Sequence, residues 1–433
     1  MMEAASGSLR RHVALLAAFT LAVSGFTVFN AEPANAAPVV VKSIQKGTAT
    51  LSGGPPTTTT AAITTVDPSK AFLVFSVREN LGSPDDGSVT GRLASSTSVE
   101  FERIGTTGTV TIEWSVVEFS SGVTVQRGTE AMGAATVNVP ISAVDLAKSF
   151  PIVSMRTGGS VFSDDDFLRA RLTATDTLEL STFGLNANVV EWQVVQYDGA
   201  SVQSGDLSFA VGDTSRNATV TSVDTSKSWL IYGYRTAFSA TQNIGEKLLR
   251  GTIADDTTLT FDRSVSGTTN DLSWYLVEFT DATVVQHGSA AFGSSDTSKD
   301  VTIAAVDPAS SIAVGGYQMT GGRSPNTSND LPGVAWFTLD LTTGTNLNIQ
   351  RSAALATADL GWYVIEWSPN VAPTANDDPD SGTIDVNEGG SVLIDVLAND
   401  TDPDDGIDPT TVVATDGTNG TTSVNPVTGA VSY

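Results

Sequence analysis

Residues 274–279 read Trp274-Tyr275-Leu276-Val277-Glu278-Phe279, and this stretch decides the fold. Successive strand side chains point to opposite faces, so Trp274, Leu276 and Glu278 share one face and Tyr275, Val277 and Phe279 the other. With few polar positions on either face, the stretch predicts a central strand covered on both sides. It recurs as Trp114 to Phe119, Trp192 to Tyr197 and Trp362 to Trp367. Recurrence at such a period marks a repeat architecture.

Working outward, two further anchors keep the same phase. One is Val/Ile-Gln-x-Gly, at Ile44-Gln45-Lys46-Gly47, Val125-Gln126-Arg127-Gly128, Val202-Gln203-Ser204-Gly205 and Val285-Gln286-His287-Gly288, with glutamines spaced by 81, 77 and 83 residues. The other is a Val-Asp turn, at Val66-Asp67, Val144-Asp145, Val223-Asp224 and Val306-Asp307. Cutting before each glutamine motif gives four units, 40–122, 123–199, 200–282 and 283–369. Each holds six or seven strands. In the third unit they are expected at Ser201–Gly205, Leu207–Val211, Thr219–Val223, Trp229–Arg235, Lys247–Ile253, Thr257–Arg263 and Leu272–Phe279. Segments such as Ser83-Pro84-Asp85-Asp86-Gly87 and Ser266-Gly267-Thr268-Thr269-Asn270 supply turn chemistry between strands. The expected fold class is all-β, with four tandem β-sandwich or small-barrel repeats. A unit of ~80 residues is near the lower size for an independent core, which favours packing between neighbours.

Composition narrows the function. The 433-residue chain carries 22 Lys+Arg against 48 Asp+Glu, a formal charge of -26. That balance excludes nucleic acid as a partner bound through its phosphates, and opposes docking on anionic lipid. Without cysteine there are no disulfides, thiolate metal sites or cysteine nucleophiles. Arg10 and Arg11 precede a mostly apolar run from Val13 to Val28, and Ala34-Asn35-Ala36 fits the small-x-small cleavage rule. A signal peptide over 1–36 is therefore expected, and with it a secreted or cell-surface location. The apolar run is short for a membrane span, and no other stretch reaches ~18 apolar residues, so no span is expected in the mature chain.

The repeated polar residues read as structural more readily than chemical. Arg78, Arg156 and Arg235 end one strong strand, with Gln318 in the fourth unit, and Arg103, Arg263 and Arg351 follow another. Guanidiniums in a glycan or carboxylate groove are one reading; salt bridges or bonds to turn carbonyls are the other, favoured one. Glu118, Gln196, Glu278 and Glu366 occupy one position, and a glutamine cannot serve a glycosidase as acid or base. A hydrogen-bonded strand residue is the expectation there. His287 stands in a slot filled elsewhere by Lys46, Arg127 and Ser204, which suits a solvent-exposed histidine better than a catalytic base. The recurring tryptophans read as core. No catalytic residue is expected.

Two resemblances add to this reading. The Val-Gln-x-Gly opening and closing Trp strand loosely resemble H-type lectin domains, which implies sugar-binding β-sandwiches. After Val371 the composition changes: residues 372–433 hold 12 acidic residues and neither Lys nor Arg. The run from Asp395 to Gly406, preceded by Ala375-Asn376-Asp377 and Glu388-Gly389-Gly390, resembles bacterial cadherin-like, Ig-like tandem-repeat domains. Gly420 to Tyr433 reads as a hairpin. The resemblance implies a β-sandwich over 370–433 of the kind found in surface adhesins, with a further strand expected after Tyr433, so the domain is expected to be incomplete. Ca²⁺ takes six to eight hard oxygen ligands. Asp400, Asp402, Asp404 and Asp405 on one turn, with Asn399 and Asp377, form the candidate metal set; an Asp-rich solvated turn is the alternative. The functional expectation is adhesion or extracellular binding, with a glycan or surface protein as partner. A lectin array and an accessory region of a larger secreted hydrolase are the alternatives.

Overall fold

The computed structural model describes residues 39–79, 83–238, 243–316, 322–327, 332–367, 373–378, 384–402, 407 and 409–433. The expected leader, Gln318, Asp404 and Asp405 lie outside the described residues.

The chain is all-β, and between Val40 and Glu366 one six-strand pattern recurs four times. In the third copy the strands are Ala200–Phe209, Ser215–Thr219, Ser228–Thr236, Arg250–Asp255, Thr258–Asp262 and Asn270–Phe279. The first, sixth and third strands form one antiparallel sheet, and the second, fifth and fourth form the other. The two sheets face each other as a sandwich. The fourth copy adds a two-residue strand, Gly322–Arg323, beside its last strand.

Two details differ from the sequence expectation. Ser201–Gly205 and Leu207–Phe209 are one strand, paired to Asn270–Phe279 without a register shift because nothing between them breaks the ladder, and Ala210 and Val211 fall past its end. Thr219–Val223 is mostly connection rather than strand. The Val220 and Val223 amides bond to Thr257 O and Asp256 O at the fourth-to-fifth turn, while both valines stay buried.

The anchor motifs explain one another. Gly47, Gly128, Gly205 and Gly288 each stand directly across the ladder from Trp114, Trp192, Trp274 and Trp362. A Cβ at any of the four glycines would sit 2.6 Å from the indole Cζ2, so the missing side chain is the space the ring occupies. The expectation of core tryptophans holds, since all four are under a tenth exposed.

The four sandwiches close into a ring. The fourth strand of each copy packs on the sixth strand of the next: Thr90–Ser95 on Val189–Tyr197, Arg169–Ala174 on Asn270–Phe279, and Arg250–Asp255 on Ala358–Glu366. The circuit is completed by Thr338–Thr343 of the fourth copy on Val110–Ser121 of the first. At one end of the axis the last aromatic residue of each copy meets its neighbours edge to face. Centroid separations are 5.6 Å for Phe119–Tyr197, 5.2 Å for Tyr197–Phe279, 6.3 Å for Phe279–Trp367 and 6.0 Å for Trp367–Phe119.

The third strands line the axis, around a cavity of about 30 Å³ bordered by Phe75, Ile152, Tyr232 and Val314. An inward-facing strand edge would leave backbone groups unpaired. Three devices prevent this. The Gln193 amide bonds both Leu73 N and Leu73 O, Pro151 has no N–H to satisfy, and Tyr232 N donates to Gly316 O across copies.

Gly205→Ala forces a methyl into the Trp274 ring, and overpacking of this kind costs about 1–3 kcal/mol. Chemical denaturation should show that loss. A variant as stable as the parent would remove the indole-on-glycine contact from the account.

Candidate functional site

The polar residues shared by all copies are consumed by the fold. Each anchor glutamine straps its strand to the chain before the Val-Asp turn. Gln203, for example, accepts from Thr221 N at 2.7 Å and donates to Thr221 O at 2.9 Å, and Gln45, Gln126 and Gln286 pair likewise with Thr64, Ser142 and Ala304. Glu118, Gln196, Glu278 and Glu366 each accept the backbone N–H of the Val-Asp aspartate, at 2.7–2.9 Å. Only a side-chain oxygen is needed there, which is why glutamine serves in the second copy. The aspartates cap the turn that follows: Asp67, Asp145, Asp224 and Asp307 accept from the amide two residues on.

Arg103, Arg263 and Arg351 are almost fully buried and donate chiefly to backbone carbonyls. Arg351 reaches Asp296 O, Val334 O, Ala356 O and Gly293 O, and so ties three loops together. The second copy has Thr182 here, whose hydroxyl donates to Gly184 O.

A second arginine set joins copies. Arg78 reaches Thr338 and Gln350 of the fourth copy, and Arg156 pairs with Glu102 of the first at 3.2 Å. Arg235 lies 4.4 Å above the Phe183 ring of the second. In the fourth copy Arg323 takes this role, 3.1 Å from Asp262 of the third. The longer connection before it displaces the arginine in sequence while the geometry is kept.

The variable slot also lies at the junctions. Lys46 donates to Pro308 O of the fourth copy, and Arg127 to Pro68 O and Ala71 O of the first. Burial pushes the Arg127 guanidinium down to about 10. His287 is half-buried rather than solvent-exposed: it stacks on Tyr363 at 6.0 Å and bonds the Thr225 backbone of the third copy. Burial lowers its pKa, against the raising effect of that bond. Clefts at the junctions therefore carry different polar side chains. One, of about 400 Å³, lies between copies two and three, where Arg171 bridges Glu179 and Asp206.

At the opposite end of the axis from the aromatic quartet, the third-to-fourth connections bury several acids. Glu79 is 0% exposed, beside the Trp336 ring and Gly87. Burial, with Asp86 and Asp85 nearby and Arg103 opposing them, pushes its carboxyl up to about 8. Asp166 is also raised by burial, and Lys247 donates to Phe162 O across copies.

In the C-terminal segment, the candidate metal residues fall partly together. Thr374 bridges Thr401, Asn376 N donates to Asp400 Oδ1 at 2.7 Å, Asn376 Nδ2 to Asn399 O, and Asn399 Nδ2 to Asp377 O. Asp377, Asn399 and Asp400 therefore share one corner, with Asp402 the next residue but one. Among the described residues no three acidic or histidine side chains converge as a metal set. The expected hairpin is present: Ser423–Val424 pairs Val431–Ser432, which pairs Leu393–Ile394.

A tandem array of β-sandwiches whose shared polar residues all serve hydrogen bonding fits a non-enzymatic surface protein. Residues 370–433 match the family model of the bacterial Ig domain. No curated protein matches the chain. The Ig-like resemblance of the C-terminal segment is thus supported, and an Ig-like domain of this kind fits a surface or extracellular protein. The resemblance to H-type lectins is not supported. The motifs that suggested it are accounted for by the glutamine straps and the indole-glycine contact. Among the described residues no helix is long and apolar enough to cross a membrane.

Three variants check these assignments. The Glu79 pKa is raised on folding, so between about 4.5 and 8 the unfolded chain gives up a proton that the folded chain keeps, and stability falls as pH rises through that window. Glu79→Gln should remove this slope: denaturation at pH 8 should find it more stable than the parent, with no such gain at pH 4. Glu278→Gln keeps the oxygen that Asp224 N requires and should be nearly neutral, whereas Glu278→Ala should cost about 1 kcal/mol. Equal losses for both would show that the charge, not the acceptor, matters.

Proposed function

We propose that the chain is an extracellular binding protein of the adhesin type, in which the ring is the binding head and residues 370–433 form an Ig-like connecting module. One observation carries this reading: residues common to the four copies are spent on the fold, while the junction slot filled by Lys46, Arg127, Ser204 and His287 differs in every copy. A closed ring is a head rather than the extended stalk that tandem repeats otherwise build. A rigid frame with divergent surface positions suits recognition. Four linked units also allow weak contacts to add through effective concentration.

The test is binding of the full chain to immobilised extracellular matrix proteins and, separately, to a glycan array. The reading predicts saturable binding to a protein ligand. Saturable binding to glycans alone would restore the lectin alternative, and binding to neither would overturn the head assignment.

Calcium at Asp377, Asn399, Asp400, Asp402, Asp404 and Asp405 is part of the proposal, supported by the corner that links residues 374–377 to 399–401. Hydrogen exchange of the full chain should show slower exchange over 373–402 in calcium than in chelator. Identical exchange in the two conditions would remove the ion.

A further inference from the structure

Comparison among the copies shows where the fold leaves freedom. The second-to-third connections, 63–70, 141–148, 220–227 and 303–310, are eight residues each, and the fourth-to-fifth connections are two residues each. The fifth-to-sixth connections are seven each. By contrast the third-to-fourth connections, 80–89, 157–168, 237–249 and 316–337, run to 10, 12, 13 and 22 residues. Strand direction places these variable loops at the same end of the ring as the first-to-second and fifth-to-sixth connections.

That end also gathers the exposed apolar surface. Among the described residues of the ring, eight large apolar side chains are exposed, and six lie there: Val161, Phe183, Leu185, Val211, Phe238 and Leu355. Leu146 and Val284 lie at the other end. Clustered exposed apolar side chains on loops mark an interaction site more often than a packing accident. Among the described residues two non-glycine residues hold positive φ, Ala187 at 55° and Leu355 at 27°, and both are on fifth-to-sixth connections at this end. Leu355 is 69% exposed, so a strained backbone holds a leucine out into solvent.

Charge defines the partner further. The basic side chains of these loops are withdrawn: Arg103, Arg263, Arg351 and Lys247 are buried, and the half-buried Arg323 is paired with Asp262 and Asp359. Asp85, Asp164, Asp213 and Asp296, one per copy, remain half-exposed around the apolar groups. A second copy of so acidic a chain would be repelled. Neither Trp nor Tyr is among the exposed large side chains of the described residues, which disfavours a sugar polymer.

We infer that the end of the ring carrying the third-to-fourth connections docks a protein partner that presents an apolar patch bordered by basic side chains. This rests on the reading of the ring as a binding head and gives that head a face. Phe183, Phe238 and Leu355 are the contact residues, and the aspartates steer the approach.

The probe is a peptide of leucine and phenylalanine flanked by lysines, measured against the full chain beside a counterpart with glutamates for the lysines and beside phosphatidylcholine vesicles. The lysine peptide should bind, with an association rate that falls as salt rises. The triple variant F183S/F238S/L355S should weaken it about tenfold or more, while L146S/V284S should leave it unchanged. Leu355→Gly should weaken binding yet melt no lower than the parent, because glycine relieves the positive φ. Equal binding by the triple variant or by the glutamate peptide, binding of vesicles instead, or binding of none of the probes would overturn the inference. If the full chain binds a matrix protein and the triple variant binds it equally well, this face alone is wrong. If the chain binds no extracellular ligand, the head reading itself fails.

Discussion

Phe119, Tyr197, Phe279 and Trp367 meet at the axis of the ring, and the arrangement of the rest follows from that contact. Each ring is at most 2% exposed and touches two neighbours edge to face. Such pairs are worth about 0.5–1.5 kcal/mol each beyond their area burial. Because the four residues come from four copies, the contact rewards closure rather than any single sandwich. A copy of ~80 residues has little core of its own, and the circuit supplies what it lacks. The junction arginines Arg78, Arg156, Arg235 and Arg323 reinforce closure from the periphery, each reaching back to the preceding copy.

Much of this was legible in the order of residues. The strand Trp274 to Phe279 announced a two-face central strand, and that is where Asn270–Phe279 lies. The glycine of Val-Gln-x-Gly and the tryptophan were each visible as anchors, but their contact was not, since pairing across a ladder depends on register. Closure was not legible either. Phe119, Tyr197, Phe279 and Trp367 could be assigned to one strand face, yet nothing in a strand pattern says which neighbour covers that face. Arg323 was missed because an insertion moved it out of phase with Arg78, and His287 because its partners, Tyr363 and Thr225, are remote in sequence.

The candidate sites divide along the same line. Residues with one role in every copy, such as Gln203 or Glu278, have backbone partners and therefore could be recognised as structural from recurrence alone. Residues that differ between copies sit on junctions and on the loop-bearing end, where the ladder places no demand on them. In the acidic segment, Asn399 donates to Asp377 O, and Asn376 donates to Asp400 and Asn399, bonds that span 22 to 24 residues and bring the linker onto the Asp-rich turn. The face with Phe183, Phe238 and Leu355 needed the strand directions before its members could be seen as neighbours.

Closure of the ring by its first and fourth copies is the claim on which head, junctions and docking face all depend. The chain lacks cysteine, so two introduced at the exposed positions Thr50 and Thr342 accept spin labels without competition. A ring predicts a single narrow distance below about 25 Å between them, whereas a linear array would separate them beyond about 60 Å, since each unit is roughly 30 Å across. The short distance is the expected result; a long or broad distribution would contradict the account.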